Sequence, residues 1–170
     1  PSNPDASDVT SINRLNSFDP ANIKWTDLFT YDSVSGTSTA KNLDFNIAVP
    51  QDGSVVDGDS VVLMWGSKEF RFNNIQIRND QPSRIPYVLV SVNGQDIADQ
   101  GKLDALKVSA YFIDRADNTP TSTLNGTEVI NSFSLYTNVK VTLQSQPPEL
   151  VLVDAHQNPA NLTDKTWYSN

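Results

Sequence analysis

The chain has 170 residues, enough for one domain with a sizeable apolar core. Its net charge of −8 and pI near 4.4, with seven Lys and five Arg scattered along it, argue against nucleic acid, whose phosphates need clustered cations. Zero cysteines removes disulfides, thiolate metal sites and cysteine nucleophiles together.

The acidic residues are 17 Asp and only three Glu, beside 17 Asn, 18 Ser and ten Pro. Short polar side chains bond to nearby backbone and favour turns, whereas Glu favours helix. The composition therefore predicts strands and loops. No apolar run approaches the roughly 20 residues that span a bilayer, so direct membrane insertion is not expected. A cysteine-free chain fits the cytosol as well as an exported β-domain. The acidic, Asn/Ser/Thr/Asp-rich surface points to the exported alternative, secreted or at the cell surface.

In chain order, residues 1–40 read as a polar N-terminal extension, with a linker-like start over 1–10. Trp25, Leu28, Phe29 and Tyr31 are too apolar to leave together in water, so 23–31 is expected to dock as a helical turn or edge strand. Asp19-Pro20 suits the start of a helical turn. Leu43, Phe45, Ile47 and Val49 then alternate with polar residues and stop at Pro50, as a half-buried strand does. Val61-Val62-Leu63-Met64-Trp65 is continuously apolar and predicts a central strand buried on both faces, with Trp65 in the core.

Phe70 and Phe72 keep one parity while Ile75 and Ile77 take the other, so Asn73-Asn74 predicts a bulge or tight bend. Pro82 and Pro86 mark 79–86 as a loop. Tyr87–Val92 reads as a strand ending in the turn signal Asn93-Gly94. Leu106–Asp114 is a further strand, 115–127 a long loop, and Asn131–Leu143 the longest strand. Leu150–Val153 is a last short strand before a polar tail over 155–170. The expectation is an all-β fold: an immunoglobulin-like antiparallel β-sandwich over 41–154 with extended N- and C-terminal flanks.

Several of these segments carry a resemblance. Ile47-Ala48-Val49-Pro50, Asp57-Gly58-Asp59-Ser60-Val61-Val62-Leu63-Met64-Trp65-Gly66, Val90-Ser91-Val92 before Gln95-Asp96-Ile97, and Val108-Ser109-Ala110-Tyr111-Phe112-Ile113-Asp114 follow in order. This pattern resembles the immunoglobulin-like repeat modules of large bacterial surface proteins, including intimin- and invasin-type adhesins. It covers about 41–143. The resemblance implies a non-catalytic module for adhesion, spacing or assembly, meeting a protein or glycan partner at a surface. The extra flanks and the long 115–127 loop keep a second expectation open. That is a carbohydrate- or receptor-binding domain of a secreted toxin or phage-tail-like particle.

Candidate sites are few. The turn holding Asp52, Asp57 and Asp59 has the oxygen donors calcium takes, but without the EF-hand spacing, and solvated β-turns, which favour Asp-Gly pairs, are the preferred reading. No other cofactor is expected. Asp96, Asp99 and Asp104 read as a helical turn capped by Asp96, and Asp114, Asp117 and Asn118 as a polar loop. His156 is the sole histidine, in a polar post-strand loop with no nucleophile setting near it. Trp65 belongs to a strand interior, so the candidate exposed aromatic platforms are Trp25, Tyr136, Trp167 and Tyr168, with Trp167 and Tyr168 the least explained by core packing.

Overall fold

A computed structural model describes residues 1–143. Chain order is α1 (Ala6–Asn13), β1 (Ile23–Lys24), α2 (Trp25–Leu28), β2 (Phe29–Asp32), β3 (Thr37–Ala40), β4 (Asn42–Ala48) and β5 (Ser60–Trp65). There follow β6 (Lys68–Phe72), β7 (Tyr87–Asn93), α3 (Gly94–Ala98), β8 (Leu103–Ile113), β9 (Thr121–Leu124), β10 (Thr127–Ile130) and β11 (Phe133–Thr142). The fold is all-β, mostly strands with few helical residues.

The largest sheet runs β1-β11-β8-β5-β6, antiparallel except where β1 lies parallel to β11. β4 and β7 form a separate antiparallel pair, as do β2–β3 and β9–β10. Alternation decides what each strand buries. Leu43, Phe45 and Ile47 of β4 and Val88, Val90 and Val92 of β7 share one apolar core with Val61, Leu63, Trp65, Val108, Ala110 and Phe112 of the large sheet. The Phe45 and Trp65 rings meet edge to face at 6.2 Å, joining the two sheets at the core's centre. On the other face of β5 and β8, Val62, Tyr111 and Ile113 form a second small cluster with Met64. β5 is thus apolar on both faces, as its unbroken run requires.

The N-terminal region is more ordered than its polarity predicts. Residues 6–13 form α1 where a linker was expected, because Val9 and Ile12 fall on one face and enter the core. Asp19-Pro20 begins no helix. Asp19 Oδ1 accepts the Ala21 N–H at 3.0 Å, closing an Asx turn. The segment between α1 and β1 then joins the two sheets along one side. Asn16 Oδ1 accepts the β4 N–H of Asn46 at 3.2 Å, while Asn16 Nδ2 donates to the Tyr136 hydroxyl on β11. Asn13 donates to the Leu135 carbonyl, and the Lys140 N–H donates to Pro20 O at 3.0 Å. These groups satisfy edge positions of both sheets.

Two further expectations need correction. The 115–127 segment is not all loop: from Thr121 it enters a hairpin, β9–β10, that ends at Ile130 and whose turn Asn125-Gly126 has φ of 50° and 78°. Two positive φ values are what a type I′ turn needs, and Asn-Gly is its preferred pair. Asn93-Gly94, by contrast, turns no hairpin. Asn93 accepts the Gln95 N–H at 2.9 Å and so caps α3, the role expected of Asp96. At Asn74, φ of 55° supplies the predicted bend after β6.

Candidate functional site

The acidic turns expected to be sites meet at the end of the sheet where β5 begins and β8 ends. Asp52 Oδ1 accepts the Ser54 N–H at 3.0 Å, and Asp57 Oδ1 accepts the Ile77 N–H at 2.7 Å. Asp59 is buried, its Oδ2 accepting the Val56 N–H at 2.9 Å. Arg115 donates to the Asp57 carbonyl and brings its Nε within 3.9 Å of Asp59 Oδ1. Hydrogen bonds from the Ser2 side chain, then from Ser54, hold the Asp52 carboxyl down at about 2.

The calcium reading of Asp52, Asp57 and Asp59 gains no support from this geometry. Each carboxylate serves a different backbone amide, and the cation beside Asp57 and Asp59 is a guanidinium. Among the described residues no group of three or more His, Cys, Asp or Glu is placed to hold a metal ion. The third polar loop is likewise self-satisfied. Asp114 Oδ1 accepts the Ala116 and Asn118 N–H groups, and Asp117 pairs with Arg71 at 2.7 Å on the exposed surface. Hydrogen bonding from the Asn118 side chain, then its backbone, lowers the Asp114 carboxyl.

Of the aromatic candidates, Trp167 and Tyr168 lie outside the described residues, as do His156 and the Leu150–Val153 strand. Tyr136 is no exposed platform. Its half-buried ring meets Phe18 edge-on at 6.0 Å and Phe45 at 6.5 Å, and burial pushes its hydroxyl up. Its position on β11 places it facing the core. Trp25 differs. It stacks on Phe29 with centroids 5.2 Å apart and planes 24° from parallel, and it belongs to neither apolar cluster. Of residues 23–31, Ile23 and Leu28 are buried while Tyr31 remains 48% exposed.

Two exposed arms complete the surface. The β2–β3 hairpin leaves α2, and the β9–β10 hairpin leaves the end of β8. The register of β11 sets them apart. Phe133, which follows the β9–β10 arm, pairs with Ala110, whereas Thr142 at the other end of the strand pairs with Lys24, just before α2. The arms therefore mark opposite ends of the large sheet. On the second arm Leu124 is 62% exposed and Ile130 45%. Sequence reading missed this arm although Asn125-Gly126 signalled it, because 115–127 carries too few apolar residues to show alternation. No protein-family model, curated protein or solved structure matches the chain.

Proposed function

We propose that this chain is an immunoglobulin-like β-sandwich module of an exported bacterial protein, of the kind found in intimin- and invasin-type adhesins. It works without catalysis, outside the cytoplasm, in adhesion, spacing or assembly. The observation that carries this reading is the pair of exposed hairpins at opposite ends of the large sheet. An isolated two-stranded hairpin is at best marginally stable in water. An arm presenting Leu124 on one face and Ile130 on the other gains by docking on a neighbour, and arms at both ends suit a module that meets something at each.

The test is to replace Leu124→Ser and Ile130→Thr together, which keeps strand-compatible residues while removing exposed apolar surface. The variant is expected to melt like the parent and to lose binding in a screen against host-surface proteins, or association with neighbouring modules. Unchanged binding and assembly in a correctly folded variant would count against the reading.

A further inference from the structure

We propose that Trp25, Phe29 and Tyr31 form a shelf that binds a neutral glycan. The inference rests on the adhesive reading above and names the ligand class at one of its two ends. Phe29 and Tyr31 are two apart on β2, so they project from the same face, about 6.7 Å apart along the strand. Trp25, one helical turn before Phe29, extends that row by stacking on it. Their cross-strand neighbours on β3 are small: Ala40 faces Phe29, and Ser38 faces Tyr31. No bulky side chain lies opposite Tyr31, which is 48% exposed, whereas Phe29 is half-buried against the core and covered on one face by Trp25, so Trp25 and Tyr31 supply the free ring surface.

The chemistry around the rings selects among ligands. A protein interface of ordinary size takes roughly 800 Å² from each partner, with an apolar centre. Here the exposed Tyr31 and the half-buried Trp25 and Phe29 stand among Thr30, Asp32, Thr37, Ser38 and Thr39, too little for that. Stacking of nucleic-acid bases calls for a positive groove. Here Lys24 and Lys41 are matched by Asp27 and Asp32, and Lys41 Nζ is already bonded to the Thr26 carbonyl at 3.0 Å. What remains is a charge-balanced aromatic strip bordered by hydroxyls. A pyranose has the complementary surface, an apolar C–H face for the ring and hydroxyls for the rim. Trp25 and Tyr31, on either side of the half-buried Phe29, suit an oligosaccharide over a single sugar.

A printed array of neutral and sialylated oligosaccharides tests this, followed by titration of the hits with tryptophan fluorescence as the readout. The proposal expects neutral glycans to bind, with Tyr31→Ala weakening them roughly threefold to tenfold. Tyr31 is exposed, so that variant should keep its melting temperature. Trp25→Phe, which retains a ring, should weaken binding less than Trp25→Ala. Absence of any glycan hit, preference for sialylated glycans, or binding indifferent to Tyr31→Ala would each overturn the proposal. A protein ligand lost with Leu124→Ser and Ile130→Thr would uphold the adhesive reading while the glycan shelf failed.

Discussion

Gly94 lies so close to the Leu28 carbonyl that a Cβ on it would stand 2.2 Å from the oxygen. The contact is between backbones, so neither side can yield by a rotamer change. It seats α3 on α2, and the neighbouring Lys41 completes the junction by bonding N–H to Leu28 O at 2.8 Å and O to Gly94 N at 2.7 Å. Three chain segments therefore meet where β7 ends and β4 begins. Gly94→Ala should cost about 1–3 kcal/mol through overpacking. Urea denaturation measures it, and a neutral substitution would show that the junction is looser than drawn.

Trp65 is 2% exposed and its indole N–H has no partner among the described residues. Its contribution is thus packing, without a hydrogen bond to lose. Trp65→Ala should destabilise by on the order of 3–5 kcal/mol. Trp65→Phe, keeping the edge contact to Phe45, should cost clearly less. A loss below about 1 kcal/mol for the alanine variant would contradict the central position of β5.

The strands of the core were legible because their side chains either alternate with period two or, in β5, run unbroken. Leu43, Phe45 and Ile47, or Val61 to Trp65, announce which faces are buried before any partner is known. α1 was not legible, since Val9 and Ile12 alone cannot reveal a helical face among polar residues. Asn16 was equally silent: its role exists only because β4 and β11 pass on either side of it. Asn93-Gly94 and Asn125-Gly126 show the limit of local signals. The same dipeptide opens a helix where Leu28 demands a glycine, and turns a hairpin where both residues take positive φ. The aromatic shelf needed the fold as well. The sequence presents Trp25, Leu28, Phe29 and Tyr31 as one apolar group, and only the start of β2 separates buried Leu28 from exposed Tyr31.

Stability should fall at both extremes of pH. Asp52 is lowered to about 2, and Asp32, Asp80 and Asp114 are lowered by hydrogen bonds from Ser35, Tyr87 and Asn118 first. A depressed folded-state carboxyl stabilises above its unfolded value near 3.9, and that contribution is lost as pH falls toward the folded value. The acid window thus runs from about pH 4 down to about pH 2. At the alkaline side, burial raises Tyr136, so its contribution is whole below about pH 10 and shrinks above it. Melting temperatures across pH should form a plateau that drops beyond both limits. Asp52→Asn should flatten the acid drop, and an unchanged slope would remove Asp52 from the account.

The outer edge of β7 makes the last prediction. Gly94 N–H bonds to Lys41 O and Val49 N–H to Pro86 O, which fixes Val88, Val90 and Val92 as the residues whose amides face β4. Tyr87, Leu89 and Ser91 face the other way. Tyr87 is paired there with Arg78, its N–H donating at 3.0 Å, but Leu89 and Ser91 make no backbone hydrogen bond on that edge among the described residues. Edge strands are ordinarily guarded by charge, proline or a covering segment. The remaining edges differ in this respect: β6 carries Lys68, Glu69 and Arg71, and the α1–β1 segment takes up groups of β4 and β11. In native-state hydrogen exchange, the amides of Leu89 and Ser91 should exchange fast, and those of Val88, Val90 and Val92 should approach the protection of the global fold. Protection of Leu89 and Ser91 that rises with protein concentration would mean that a strand of a second copy adds to this edge. Slow exchange at both in dilute monomer would show that the edge is covered, and the free-edge assignment would fall.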